Sequence, residues 1–136
     1  MIKPLFTYGT LRVRQPNHHL LKDATLLHQA CRTVKKFIMF TQQSKSYPFL
    51  IPPEFWPEKA HLATHIVGDV FQVTKSQQER CDQLEGHPEY YKRIPITFHI
   101  SNAMIESEVY ILTESSFKQM DLKRFVVIES GDWLKK

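Results

Sequence analysis

What the 136-residue sequence lacks narrows it first. Two cysteines, Cys31 and Cys81, stand far apart with no Cys-x-x-Cys pair. That is too few for a disulfide scaffold and the wrong spacing for a zinc site, so a reduced, cytoplasmic protein is expected. No apolar stretch is long enough to cross a bilayer, and the Met1-Ile2-Lys3-Pro4 start carries no signal-peptide core. A soluble protein without a membrane partner is the expectation. Basic residues outnumber acidic ones, 18 to 14, for a formal charge of +4. Yet no basic run exceeds the Lys35-Lys36 pair or the terminal Lys135-Lys136 pair. The basic stripe of a nucleic-acid binder is missing, and no nucleic-acid partner is expected. Repeats and low-complexity segments are absent as well.

What is present organises around Leu5-Phe6-Thr7-Tyr8-Gly9-Thr10-Leu11. The apolar run reads as a buried strand, and the glycine at its end permits positive φ or close approach of a ligand or another chain. The turn beyond it exposes successive N–H groups, a seat for a carboxylate or oxyanion. A strand-to-loop corner without a ligand is the competing reading. The chain is long enough for one domain, residues 1–136, with its own core, and a monomer is expected.

Along the chain, Pro16 predicts the start of a short helix. Residues 24–42 carry β-branched and aromatic residues in loose alternation and predict one or two strands. The prolines of Tyr47–Pro53 force an extended edge strand or loop, and residues 54–64 give no clear pattern. Ile66–Val73 is the clearest strand. Thr74 and Gln77 fit a capping box opening a helix that runs to Glu85 and stops at Gly86. Tyr90–Ile100, Met104–Leu112 and Phe125–Ile128 predict three more strands. Strands dominate and helices are few, which predicts a mixed α+β domain with a curled or closed sheet.

Glu85 is the candidate for chemistry. A carboxylate is disfavoured at the negative end of a helix. Partly buried there beside Tyr90 or Tyr91, its proton affinity would rise toward neutrality, as a general acid/base requires. A solvated glutamate at a fraying helix end is the alternative. Other features carry less. His61 and His65 have i, i+4 spacing but lack the adjacent glutamate of a metalloprotease, so no metal is expected. His18 and His19 read as a surface pair with one at most in a pocket. Cys81 reads as a buried small apolar group, Asp69 as a turn or cross-strand hydrogen bonder, and Trp133 as an anchor for the tail.

Taken together, Phe6–Leu11, Pro16-Asn17-His18, Gly68–Phe71, Leu84-Glu85-Gly86, Tyr91-Lys92-Arg93 and Gly131-Asp132-Trp133 resemble the gamma-glutamylcyclotransferase-like proteins. The gamma-glutamylamine cyclotransferases, which share the Tyr-Gly-Thr-Leu turn followed by Gln-Pro-Asn-His, are the branch most alike. The resemblance implies a small β-barrel with flanking helices and a pocket beside the first turn. It implies intramolecular cyclisation of a γ-glutamyl compound to 5-oxoproline, without a cofactor. Glu85 maps to the catalytic glutamate, Tyr8, Gly9, Thr10 and Leu11 to the substrate-binding turn, and Tyr91 to a pocket-lining aromatic. Residues 41–65, with Trp56 and no glycine turn before Tyr47-Pro48, depart from the family pattern, which bears on substrate identity. A non-catalytic binding or regulatory module on the same fold is the alternative. Cleavage of a γ-glutamyl protecting group is a third reading that shares the chemistry.

Overall fold

In the computed structural model, which describes residues 2–43 and 46–136, the Leu5–Thr7 run is β1, a central strand with all three residues buried. Ser44 and Lys45, inside the departing 41–65 segment, and Met1 lie outside the described residues. On one side β1 pairs antiparallel with β4 (Thr64–Gln72), Phe6 facing Val70. On the other it runs parallel to β6 (Ala103–Leu112), joined at Leu5 and Glu108. β6 forms a hairpin with β5 (Tyr91–Ile100), in register from Tyr91–Leu112 to Ile100–Ala103. β2 (Thr25–Gln42) pairs with β4 and also meets β5 through Arg32–His99 and Thr33–Phe98. The ring β2-β4-β1-β6-β5 therefore closes into a five-stranded barrel, the architecture expected from the sequence.

β2 is one strand of 18 residues rather than two. Register shifts interrupt its pairing with β4 after Leu26, His28 and Arg32, and Ala30 has φ +55°. Such bulges bend a strand and increase its twist. The bent strand leaves the barrel at Phe37 and carries a second small sheet on residues 38–42. There β3 (Phe49–Ile51) and β7 (Phe125–Val127) flank it.

The unpatterned stretch 54–64 folds as two short 3₁₀ turns, Pro53–Phe55 and Pro57–Leu62, each opened by a proline. They deliver Trp56 to the ring of Phe40, 5.6 Å away, where Phe49 stacks at 5.2 Å and Phe125 packs edge-on at 5.0 Å. Each aromatic pair adds about 0.5–1.5 kcal/mol beyond area burial. Trp56 thus belongs to the core.

The two-residue period of β-strands sorts the apolar residues into two layers. Phe6, Val70, Phe98 and Val109 form one core; Leu5, Phe71, Leu21 and Cys81 form the other. The second underlies α1 (Lys75–Glu85). Its capping box is complete: the Gln77 N–H donates to Thr74 Oγ1 at 3.1 Å, and the Thr74 N–H donates to Gln77 Oε1 at 2.9 Å. Gly86, at φ +66°, ends it in the left-handed conformation. A second helix, α2 (Glu114–Lys118), is capped by Thr113 and has no counterpart in the sequence reading.

The short helix expected near Pro16 is a 3₁₀ helix, His18–Leu21. Asn17 is tied back to Thr10 by both its N–H and its side-chain amide, which keeps this segment against the first turn. Pro95 sits inside β5 without breaking it. The Arg93 N–H, two residues earlier on the same edge, points away from β6 to His87 Nδ1 at 3.1 Å, so a proline there removes no bond to β6. At the C-terminal end Trp133 is buried, and the Gly131 carbonyl accepts from the Val67 N–H at 2.9 Å, which anchors the tail to the barrel.

Gly68 of β4 lies close against β1. A Cβ there would stand 2.4 Å from the Thr7 carbonyl oxygen and 2.5 Å from the Phe6 ring. Gly68→Ala is expected to lower stability by about 3 kcal/mol, read from the urea midpoint, because backbone must move to admit the methyl. An unchanged midpoint would mean that β1 yields without cost.

Candidate active site

A pocket of about 220 Å³ opens between the turn after β1 and the C-terminal end of α1. Thr7 to Leu11 and Asn17 form one wall, Leu84 and Glu85 another, and Tyr47, Pro48, Tyr90, Tyr91 and Tyr110 complete it. All six residues singled out from the sequence, Tyr8, Gly9, Thr10, Leu11, Glu85 and Tyr91, line this one cavity.

The turn is closed by the Arg12 N–H, which donates to the Gly9 carbonyl at 3.0 Å. Among the described residues, the N–H groups of Gly9, Thr10 and Leu11 donate to no protein acceptor. Three adjacent free donors beside a cavity are suited to an anion. Glycine is required at position 9 by close approach and not by positive φ: a Cβ would lie 2.8 Å from the Pro48 ring, and Gly9 is not left-handed. Thr10 is clamped by Asn17, whose Nδ2 donates to Thr10 Oγ1 at 2.9 Å.

The turn is fixed from below by Arg12, whose side chain is 3% exposed. Its guanidinium donates from Nε and Nη2 to the two oxygens of Asp69, both at 3.2 Å, and from Nη1 to Asp132 at 3.0 Å. Asp69 also accepts the N–H groups of Val13 and Ala30 at 3.1 and 3.0 Å. Removing one partner of such a buried pair costs about 3–5 kcal/mol. The sequence reading gave Asp69 a hydrogen-bonding role in a turn or across strands but did not single out Arg12 as its partner. Nothing local marks them, since the partners are 57 residues apart.

Glu85 is the only charged side chain among the described residues lining the pocket. Its carboxylate makes no hydrogen bond or ion pair with the described residues. Burial pushes its carboxyl from 4.5 up to about 7, and the negative end of α1 acts in the same sense. The phenols of Tyr8 and Tyr91 stay protonated. Tyr8 and Tyr91 are pushed well above their ordinary value by burial, with the nearby Glu85 charge adding to it. The Tyr8 hydroxyl donates to the Tyr110 carbonyl at 2.8 Å, and the Tyr91 hydroxyl reaches the Pro48 carbonyl at 3.5 Å. Tyr90, 42% exposed, packs edge-on against Tyr91 at the rim.

From the departing 41–65 segment, Tyr47 and Pro48 reach the pocket. Neither His18 nor His19 does: His18 packs on Phe71 at 5.5 Å, and His19 turns to the Pro16 carbonyl. Asn17, quoted in the motif but not singled out as a site residue, does line it. His61 lies on a 3₁₀ turn and His65 in β4, so they share no helix face. Among the described residues, no group of three or more metal-ligating side chains comes together. No helix of the described residues is long and apolar enough to cross a membrane.

Residues 5–135 match the gamma-glutamyl cyclotransferase, AIG2-like family. A Methanocaldococcus jannaschii protein, provisionally named a gamma-glutamylcyclotransferase, is 32% identical over 131 residues, covering 95% of this chain and 93% of that one. The gamma-glutamylaminecyclotransferase of Rattus norvegicus is 29% identical over 101 residues, 71% of this chain and 63% of that protein. Among solved structures, YkqA of Bacillus subtilis superposes with a TM-score of 0.71 at 24% identity, over 99% of this chain but only 40% of its own. An AIG2-like protein of Mus musculus superposes with a TM-score of 0.68 at 21% identity, covering 83% of this chain and 78% of that one. These two likenesses establish the shared fold.

The raised carboxyl of Glu85 has a consequence for stability. Its folded value near 7 exceeds the ordinary 4.5, so the unfolded chain ionises first as pH rises. Stability is therefore full below about 4.5 and is lost as pH climbs through 7. Glu85→Gln removes that loss. Its stability relative to wild type is expected to rise by about 2–3 kcal/mol between pH 4 and pH 8, read by urea unfolding. A pH-independent difference would mean that Glu85 is solvated.

Proposed function

The chain belongs to the AIG2-like gamma-glutamyl cyclotransferase family, and we propose that it cyclises a γ-glutamyl compound to 5-oxoproline, releasing a free amine, with Glu85 as general acid/base. The observation that carries this reading is the placement of Glu85. An unpaired carboxylate poised near neutrality shares a small cavity with three free N–H donors.

The reaction is an internal transamidation. Glu85 takes a proton from the substrate's α-ammonium group. The freed amine attacks the γ-carbonyl carbon, closing a five-membered ring and leaving charge on the carbonyl oxygen. Glu85 returns the proton to the nitrogen of the leaving amine, and the old C–N bond breaks as the carbonyl re-forms. The ring nitrogen gives up its second proton through Glu85 to the freed amine, so that 5-oxoproline and an ammonium part. One carboxylate performs both transfers, so its proton affinity must lie between donor and acceptor roles, which a value near 7 satisfies.

The barrel supplies geometry. Ring closure requires the γ-glutamyl chain to be bent back on itself, and a cavity of about 220 Å³ walled by tyrosine rings favours a folded conformer over an extended one. The N–H groups of Gly9, Thr10 and Leu11 hold the substrate's α-carboxylate or the developing oxyanion. Tyr8 and Tyr91 wall the cavity, their hydroxyls turned to backbone carbonyls.

A panel of γ-glutamyl-ε-lysine, γ-glutamyl-amino acids and glutathione should yield 5-oxoproline from at least one member, detected by mass spectrometry. The ε-lysine adduct is the first choice. A blocked α-amine should stop the reaction. Release of free glutamate instead would refute cyclisation, and binding without turnover would support a non-catalytic module.

Glu85→Gln keeps shape but cannot carry the proton, and kcat/KM is expected to fall about 100-fold or more. Near-normal turnover in that variant would end the assignment. Turnover should be the same with and without a chelator, since every step above is a proton transfer or a bond exchange within the substrate.

A further inference from the structure

α1 is a poorly anchored helix for one that carries the site's proton. Of its eleven residues only Gln77 and Cys81 are buried, and Leu84, the residue beside Glu85, is 45% exposed. Its last turn also holds a carboxylate that, once ionised, gains by leaving an apolar pocket for water. Something other than apolar packing keeps that turn in place.

The tie runs through Asp82, on the same turn as Glu85. Arg93 of β5 donates from Nη1 to Asp82 Oδ1, and Tyr110 of β6 donates its hydroxyl to the same oxygen. Arg93 reaches in the other direction to Glu108 of β6, Nε to Oε1 at 3.3 Å. Backbone bonds repeat the connection. The His87 N–H donates to the Asp82 carbonyl at 2.9 Å, and the Arg93 N–H donates to His87 Nδ1 at 3.1 Å. On the pocket side, the Tyr110 carbonyl accepts the Tyr8 hydroxyl. One guanidinium fork thus links the helix end to both strands of the β5–β6 hairpin, and Tyr110 links that hairpin to Tyr8 at the start of the substrate turn.

Granted the reading of Glu85 as proton carrier, on which this rests, we propose that Arg93 is a positioning residue: through Asp82 it holds the last turn of α1 against β5 and β6, keeping the Glu85 carboxylate inside the pocket lined by the Gly9–Leu11 turn. Arginine suits this role because its planar fork can engage two carboxylates at once, where a lysine ammonium offers a single mobile point. Both Arg93 and Asp82 keep some solvent access, so the tie can be cut without leaving a deeply buried charge.

The test separates holding from charge. The titratable groups that face Glu85 are Cys81 of α1, Tyr8 after β1 and Tyr90 and Tyr91 at the start of β5; Tyr47 and Tyr110 also line the cavity. Arg93→Met removes a cation, and on charge alone it should raise the titration midpoint of Glu85. Loss of holding lets the carboxylate reach water and should lower that midpoint, from about 7 toward the ordinary carboxylate range.

Carboxyl-carbon NMR titration of Glu85 in wild type, Arg93→Met and Arg93→Lys reads this without any need for turnover. The expected result is a lower midpoint in Arg93→Met and a smaller fall in Arg93→Lys. With the best γ-glutamyl substrate of wild type, kcat of Arg93→Met should drop about 10-fold or more while KM stays within about 3-fold. A raised or unchanged midpoint in Arg93→Met overturns the proposal, and wild-type values in Arg93→Lys overturn the need for a fork. Should Arg93→Met fail to fold, Arg93→Lys decides alone. Should wild type turn over no γ-glutamyl compound, the catalytic reading fails, while the titration still decides whether Arg93 holds the helix end.

Discussion

Much of this structure depends on one guanidinium. Arg12 is withdrawn from water between Asp69 and Asp132, and the three residues come from the turn after β1, from β4 and from the C-terminal loop. An isolated buried arginine would be prohibitively costly. Here the charge is matched, and Asp69 is further satisfied by two backbone N–H groups. The geometry leaves little freedom: a bidentate fork fixes both distance and plane. The backbone of Gly9–Leu11 is thus held rigid by its successor in sequence, and its N–H groups need not be reoriented to serve as donors. The same pair explains why residues near position 131 matter to a site made near position 9. Asp132 completes the fork, and the Gly131 carbonyl caps the neighbouring Val67 N–H.

Glu85 poses the opposite problem. Where Arg12 is buried and paired, Glu85 lines the pocket without a counter-charge at the helix end least favourable to it. Such a carboxylate destabilises the folded chain above neutral pH, the kind of local cost that functional sites carry and the surrounding fold offsets. The offset is visible in how α1 begins and ends. A complete capping box opens it, a left-handed glycine closes it, and Asp82 ties its last turn to the barrel. These contacts are polar and directional. They suit a short helix that must hold a position with little apolar surface beyond Cys81 to bury.

The fold and the pocket were legible in the sequence to different degrees, for physical reasons. β4 was legible as an apolar, β-branched run, and the structure buries six of its residues in a row because both of its faces meet a core layer; β5 was legible by its alternation. The capping box at Thr74 and the stop at Gly86 were legible because caps are chemistry between residues three or four apart. For β2 the sequence left one strand or two open, since its bulges break the alternation that would have announced a single one. Residues 53–62 were opaque because 3₁₀ turns led by proline have no apolar period, and their purpose, delivering Trp56 to Phe40, lies in another part of the chain. Arg12 was not singled out for the same reason: its partners are 57 and 120 residues away. Gly9 was singled out on two grounds, positive φ and close approach; it is the second that the structure shows, and what approaches is Pro48 of the same chain. Distance in sequence, more than chemical subtlety, separated what was legible from what was not.

The pocket's chemistry follows from this division between what is charged and what is kept neutral. Its walls bring tyrosines 8, 47, 90, 91 and 110 around one carboxylate. Burial drives the phenols of Tyr8, Tyr90 and Tyr91 away from the range in which they could exchange protons at neutral pH, and the Glu85 charge drives them further. The same burial drives the Glu85 carboxyl into that range. One physical cause thus has two opposite consequences, because it disfavours charge on every acid alike and the acids start from different values. Among the described residues lining the cavity, Glu85 is the group that burial brings into that range. A reaction that must take a proton from one nitrogen and give it to another can then pass both through the same atom pair. The N–H donors of the turn, fixed by Arg12, stay free to hold whatever negative charge the substrate brings or develops.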